Sequence, residues 1–299
     1  MCITGASGFL GRATVTKFAA RGFKVLALTR PTSDPLKFDL RDQVTEIRGS
    51  IDEWVSIIEK ENPISVLSYD WAGVEGELRR DRLLQEINIA RVCRLAKAAK
   101  SVGVKNFITF GSQAEIDPSS LPILESAIDA PQSNYGVAKI AARKEIQSIL
   151  GDSETRFLWG RVFTVYGPGD TRETLITQLI RKLIIGEDFE IIQSFKKWSF
   201  LFLDDFTEAI YALHEHQSVS GVINIGNPTI STIGEAADLI GEILEKSQHI
   251  SKSHATNSTV SDLTWIPDIP TLLRLSWSPK VSLNVGLENT ADWWKQLPK

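Results

Sequence analysis

Tyr135 and Lys139, in the run Tyr135-Gly136-Val137-Ala138-Lys139, are the residues whose types and spacing most directly permit chemistry. Four residues apart where a helical pattern opens, they lie one turn apart on one helix face. An isolated phenol titrates near ~10 and is a poor acid or base at neutral pH. An ammonium one turn away stabilises the phenolate and brings it toward the working range. Upstream, Ser112 ends the expected strand at 105–110 and its continuation, Gly111-Ser112-Gln113-Ala114-Glu115. Its hydroxyl can bond a carbonyl or carbinol oxygen. A carbonyl that accepts a hydride becomes an alkoxide in need of a proton, and Tyr135 is placed to give one. Tyr-x-x-x-Lys by itself is also an ordinary surface pair, so the reading depends on what surrounds it.

A hydride donor would bind at the start of the chain. There a short apolar run meets Gly5, Gly8 and Gly11, and a helical pattern follows with Leu10, Ala13, Val15, Phe18 and Ala19 on one face. Backbone that turns from strand to helix leaves N–H groups outward at the positive end of the helix dipole, and glycine lets a phosphate approach them. A dinucleotide pyrophosphate is the expected occupant. Gly22 stops the helix and residues 23–28 read as a second strand, which gives the first half of a βαβ unit. That strand runs into Thr29-Arg30. NAD-specific folds place an acid there for the adenine ribose hydroxyls, whereas Arg30 favours a 2′-phosphate, with Arg12 in reach to assist. NADP(H) is therefore expected over NAD.

The string Thr4-Gly5-Ala6-Ser7-Gly8-Phe9-Leu10-Gly11 resembles the extended short-chain dehydrogenase/reductase superfamily (the NAD-dependent epimerase/dehydratase family), whose members mostly act on sugar nucleotides. Ser112, Tyr135 and Lys139 match that superfamily's trio residue for residue. Relatives read Arg-x-Phe-Asn-Val-Tyr-Gly-Pro-Gly where this chain has Arg161-Val162-Phe163-Thr164-Val165-Tyr166-Gly167-Pro168-Gly169, and residues 276–294 follow the family's carboxyl-terminal pattern. The resemblance covers essentially the whole chain. It implies an α/β fold: a Rossmann-type doubly wound parallel sheet with a smaller α/β substrate-binding domain. Residues 1–165, with 199–226 returning, would hold the cofactor; 166–198 and 227–299 would hold the substrate.

The same resemblance implies the contacts. Gly5, Ser7, Gly8, Phe9, Leu10 and Gly11 would meet the cofactor's phosphates, Arg30 its 2′-phosphate, and Ser50 and Ile51 its adenine. Tyr69, Asp70 and Trp71 would pass beneath the pyrophosphate and nicotinamide ribose. Phe110, Tyr135, Lys139, Val162 and Phe163 would complete that side, and Asn88 would hold water or backbone near the lysine. Gln113, Ala114, Thr164 and Trp198 would meet the substrate. Four departures stand out. Ser50 lacks the usual carboxylate, Tyr69-Asp70-Trp71 replaces small residues, and Thr164 replaces an asparagine. Gln113 and Ala114 stand where 4,6-dehydratases carry an Asp-Glu pair, and Glu115 falls one residue too late to reach the same spot.

The remaining elements follow from periodicity. Strands are expected at 44–49, 63–68, 156–161, 199–203 and 221–226, with a helix through Trp54 and Ile58 and a long one through Leu83, Ile87 and Leu95. Helices also follow from Leu175, Leu179 and Leu183, with Arg172, Arg181 and Lys182 around them, from a cap at Asp204-Asp205, and from one at Ser231 or Thr232. Residues 251–261 read as a flexible polar loop.

Composition bounds the partners. A net charge of -4 gives no reason to expect nucleic acid or an anionic membrane, and no apolar run approaches a membrane span. With no leader pattern and only Cys2 and Cys93, a cytoplasmic location is expected. His214, His216, His249 and His254 offer no pair at a metal-binding helix spacing, so no metal is expected. The expectation is an NADPH-dependent 4-ketoreductase of a nucleotide-diphosphate sugar, similar to CDP-abequose synthase-like enzymes, and a homodimer. The alternatives are a 4-epimerase with tightly bound NAD and a non-catalytic NADP-binding protein.

Overall fold

The computed structural model describes residues 1–36, 42–117, 122–253 and 264–297. In chain order the first half runs β1 (Cys2–Thr4), α1 (Phe9–Ala20), β2 (Val25–Thr29), β3 (Val44–Arg48), α2 (Ile51–Glu61), β4 (Ser65–Ser68), α3 (Arg82–Ser101), β5 (Asn106–Ser112), α4 (Asn134–Leu150) and β6 (Arg156–Val162). Short 3-10 turns occupy Gly76–Arg79 and Gln113–Glu115. The helices start where side chains replace missing backbone partners. Ser50 and Glu53 form a reciprocal box at α2, Asp81 caps α3 and Ser133 caps α4.

These strands and β11 (Gly221–Ile225) form a seven-stranded sheet in the order β11-β6-β5-β4-β1-β2-β3, parallel at every pairing from β6 to β3. It is the expected Rossmann-like α/β fold. The order reverses at β1, whose Thr4 lies between Leu28 of β2 and Ser68 of β4. Ligands bind such sheets in the crevice beyond the carboxyl ends at that switch point. Gly5 and Tyr69 directly follow the two strands that flank it. A buried apolar cluster that includes Trp54, Ile58, Leu95, Phe107, Ile146 and Trp159 joins α2, α3 and α4 to the sheet. Elsewhere Phe18 of α1 packs edge-on against Tyr211 and His214.

The second half adds β7 (Val165–Tyr166), α5 (Leu175–Ile185), β8 (Phe189–Ile192), β9 (Lys197–Trp198), β10 (Leu201–Phe202), α6 (Leu203–Glu215), β11 (Gly221–Ile225), β12 (Ser231–Thr232), α7 (Ile233–Ile243), β13 (Ile250–Ser253), β14 (Thr264–Trp265), α8 (Pro270–Arg274) and α9 (Leu283–Lys295). The chain divides into two compact units. One comprises Met1–Asp117, Ile128–Val162 and Thr207–Ile223; the other takes the described residues of Pro118–Ala127, Phe163–Phe206 and Asn224–Lys299. The second unit has its own core around Ile180, Leu183, Ile191, Ile240 and Leu287.

Several boundaries differ from expectation, each for a local reason. The chain rejoins the first unit at Thr207 rather than 199, because β10 pairs with β7 and Leu201 donates its N–H to Thr164. Helix α6 already begins at Leu203, so Asp205 sits within its first turn rather than capping it. Its carboxylate accepts the N–H groups of Lys280 and Val281 instead. Polar residues 251–253, expected as loop, form strand β13 against β8; the rest of that stretch, 254–261, lies outside the described residues. Thr232 caps α7, in a box with Glu235.

Candidate active site

The glycine loop is shaped by its own packing. Gly5 has φ +65, and a Cβ there would stand 2.7 Å from the backbone nitrogen of Asp70. A Cβ on Gly11 would collide with the carbonyl of Gly5, so glycine at this position lets α1 press onto the loop. Gly8, exposed, is the N-cap of α1, and no side chain caps the helix. The positive end of α1 is thereby left to an anion, which fits the pyrophosphate of a dinucleotide. Phe9 and Leu10, both partly buried, open that helix. Ser7 ties the loop to the segment after β2 through a 2.9 Å bond between its hydroxyl and that of Ser33.

Arg30 lies at the end of β2, about half exposed, with its Nε 3.9 Å from Asp70. Asp70 is 6% exposed and is gripped on one oxygen by Nε and Nη2 of Arg91, at 2.8 and 2.6 Å. The expected phosphate-binding cation therefore has a carboxylate beside it. Ser50, expected at the adenine, uses its hydroxyl oxygen to cap α2, and Ile51 packs on the core.

Beyond β4 the bulky residues are absorbed by a polar clamp on α3. Asn88, 2% exposed, donates to the carbonyl of Ala72 (2.8 Å) and accepts its N–H (3.0 Å). Gln85, one turn earlier, accepts from the indole of Trp71 and donates to the carbonyls of Gly73 and Leu78. Asn88 is thus committed to protein backbone. Tyr69 turns inward: its ring stacks on Phe110 at 4.1 Å and its hydroxyl bonds Thr14, while burial pushes its pKa up. Phe110 faces Tyr69 with its ring and Lys139 with its carbonyl.

The clamp holds Trp71 against Lys139. The ammonium lies 3.6 Å from the centre of the Trp71 ring and donates to the carbonyl of Phe110 at 2.8 Å. Lys139 is 5% exposed. Burial brings its pKa down to about 7, with Glu115 and Asp70 opposing the shift. Tyr135, 7% exposed, has Trp71 edge-on at 6.3 Å, Lys139 at 5.6 Å from its ring centre and the guanidinium of Arg79 at 4.7 Å.

Ser112 ends β5. Its hydroxyl oxygen accepts the N–H of Ala114 at 3.2 Å, which leaves the hydroxyl proton to donate. A Cβ on Gly136 would collide with the carbonyl of Ala114, so this glycine lets the start of α4, and with it Tyr135, close on the 113–115 turn. Gln113 carries a buried Oε1 that has no hydrogen-bond partner among the described residues. Glu115 is withdrawn completely, at 0% exposure. It accepts the N–H of Ser112 (2.7 Å) and the indole N–H of Trp159, and Arg161 lies 3.7 Å away. Burial raises its pKa, with Arg161 the foremost opposing charge. A Cβ on Gly111 would strike this carboxylate.

Val162 belongs to the first unit; Phe163, Thr164 and Trp198 lie in the second, where the indole of Trp198 donates to the hydroxyl of Thr164 at 2.7 Å. The cations around α5 are paired within that unit: Arg172 with Asp170, Arg181 with Glu173 and Lys182 with Glu187. Among the described residues no group of three or more His, Cys, Asp or Glu could hold a metal, and no helix is long and apolar enough to cross a membrane. His254 lies outside the described residues. Gln85, Arg91 and Arg79 escaped the sequence reading. Gln85 and Asn88, two uncharged polar residues three apart on α3, were the one local sign of the clamp.

The sequence profile of the NAD dependent epimerase/dehydratase family matches residues 1–226. GDP-L-fucose synthase 1 of Arabidopsis thaliana is 24% identical over 319 aligned residues, covering 98% of this chain and 92% of the relative. GDP-mannose 3,5-epimerase 1 of Oryza sativa subsp. indica is also 24% identical, with 98% and 81% covered. The fold is shared with UDP-glucose 4-epimerase of Thermotoga maritima, solved with UDP-glucose (TM-score 0.85, 21% identity, 99% and 98% covered). It is shared as well with UDP-glucuronic acid 4-epimerase of Bacillus cereus, solved with NAD (TM-score 0.84, 23% identity, 99% and 98% covered). With three quarters of its length matched, and with the glycine loop and the Ser112, Tyr135 and Lys139 positions inside the matched region, the chain belongs to the NAD-dependent epimerase/dehydratase family of extended short-chain dehydrogenases/reductases.

Proposed function

We propose that the protein reduces the 4-keto group of a nucleotide-activated deoxysugar with NADPH. The observation that carries this reading is the turn after Ser112. Gln113 and Ala114 cannot move protons, and Glu115, the one carboxylate there, is buried against β5 and β6 with Ser112, Trp159 and Arg161 around it. That turn therefore offers no group for proton transfer at the neighbouring sugar carbons, which a dehydratase needs. Chemistry at a single carbinol or carbonyl remains.

A reduced nicotinamide dinucleotide held at the glycine loop supplies the hydride. Ser112 donates its hydroxyl proton to the C4 oxygen and fixes its direction. Tyr135 gives that oxygen a proton as negative charge builds on it. Lys139, anchored by the Phe110 carbonyl, keeps positive charge near the phenol and can bond ribose hydroxyls. The Oε1 of Gln113, without a partner among the described residues, suits a sugar hydroxyl. Arg30 supports NADPH, since a cofactor that leaves oxidised suits net reduction. The exposed Leu83, Ile87 and Val137 on α3 and α4 support a homodimer, and a cytoplasmic location belongs to the same proposal.

One observation favours a 4-epimerase with resident NAD: Asp70 stands beside Arg30 and offsets the charge expected to select the 2′-phosphate. The test is oxidation of NADPH with a panel of CDP-, dTDP-, UDP- and GDP-4-keto-6-deoxysugars. Turnover with one of them supports the reductase. No turnover with any, together with NAD released from the purified protein on denaturation, overturns it in favour of the epimerase.

A further inference from the structure

We propose that Arg79 is a positioning residue for proton transfer, a fixed positive charge on the ring of Tyr135 that favours its phenolate. Its guanidinium lies 4.7 Å from the centre of the Tyr135 ring, closer than the Lys139 ammonium at 5.6 Å. Among the described residues Arg79 forms no ion pair with a carboxylate, so its charge is not spent elsewhere. Its place is built. The 3-10 turn Gly76–Arg79 is held to α3 by Gln85, which donates to the Leu78 carbonyl at 3.1 Å. It is held to the start of α4 by Asn134, which donates to the Arg80 carbonyl at 2.6 Å. Asn134 immediately precedes Tyr135, so turn and phenol move as one piece.

The chemistry needs such a charge. Lys139 faces Trp71, the Phe110 carbonyl, Glu115 and Asp70, and burial brings it to about 7. As the pH rises its charge is lost far earlier than an exposed lysine's, and with it the pull on the phenol. A guanidinium stays charged throughout. Among the described residues the cations over the Tyr135 ring are Lys139 from α4 and Arg79 from the 3-10 turn. A cation at this distance in a partly exposed site moves a phenol by about one pH unit.

This inference rests on Tyr135 acting as the proton donor, but its test does not require turnover. Phenolate absorbance is titrated for the native protein, Arg79→Gln and Arg79→Lys, each with and without Tyr135→Phe. The difference within each pair reports Tyr135 alone. Tyr69 and Tyr166, both pushed upward by burial, ionise later. The expected result is a midpoint for Tyr135 that rises by about one pH unit in Arg79→Gln and returns most of the way in Arg79→Lys. A Tyr135 midpoint that is the same in native protein and Arg79→Gln overturns the proposal. Failure of the 4-keto sugar panel would leave this titration standing, so the two readings fail separately.

Discussion

Replacing Lys139 by methionine should change how stability depends on pH, and by a predictable amount. Lysine ordinarily titrates at 10.5, and in the folded protein burial brings Lys139 to about 7. Between those values the unfolded chain holds a proton that the folded chain has released, so stability rises with pH. Below about pH 7 both states are protonated and the full cost of burying the charge is present. Above about pH 10.5 it is gone. A window of about 3.5 pH units corresponds to on the order of 5 kcal/mol, of which roughly 4 kcal/mol falls between pH 7 and pH 10. Lys139→Met keeps an unbranched stem beside Trp71 and Phe110 but has no proton to release. Urea unfolding followed by tryptophan fluorescence, run in parallel on both proteins across this range, isolates the effect because every other titrating group is shared. The variant should be the more stable protein near pH 6 and lose that advantage steadily as the pH rises. A stability difference that stays constant within about 0.5 kcal/mol over the range would refute the buried, easily deprotonated lysine.

Three further outcomes follow from the site. Tyr135→Phe should bind NADPH as the native protein does, by fluorescence titration, and lose turnover by about 100-fold or more; retained turnover would remove Tyr135 as the proton donor. Asn88→Ala leaves the half-buried N–H and carbonyl of Ala72 without their side-chain partner, at about 1 kcal/mol for each hydrogen bond, so urea unfolding should report a loss of about 2 kcal/mol. A loss under about 0.5 kcal/mol would mean that the clamp carries no strain when opened. Arg30→Asp should weaken NADPH binding by about 10-fold or more and leave NADH binding close to native, whereas equal weakening of both would exclude a 2′-phosphate contact.

What could be read from the sequence was local. The strand before Gly5, the helix after it and the four-residue step from Tyr135 to Lys139 all lie within a few residues of their partners, and the sheet of this fold follows from repeated βα alternation. What could not be read depends on pairs distant in sequence. Asp70 looked like an intrusive acid beneath the cofactor until Arg91, 21 residues on, took its carboxylate. Glu115 was recognised as misplaced for proton transfer, but its destination beside Trp159 and Arg161 is set by two strands packing together. Asp205 carried every mark of a helix cap, and the backbone of residues 280–281 claimed it instead. Arg79 escaped notice because nothing in its neighbourhood along the chain points to Tyr135.

The proposed reaction passes hydride from a dissociable reduced cofactor to C4 of a sugar nucleotide. It is tested most directly with NADPH deuterated at the transferring position and the 4-keto sugar nucleotide that the panel identifies. The account predicts one deuterium at C4 of each product sugar and one NADPH oxidised per sugar formed. A product inverted at C4 without deuterium, formed with no net oxidation of the cofactor, would contradict it.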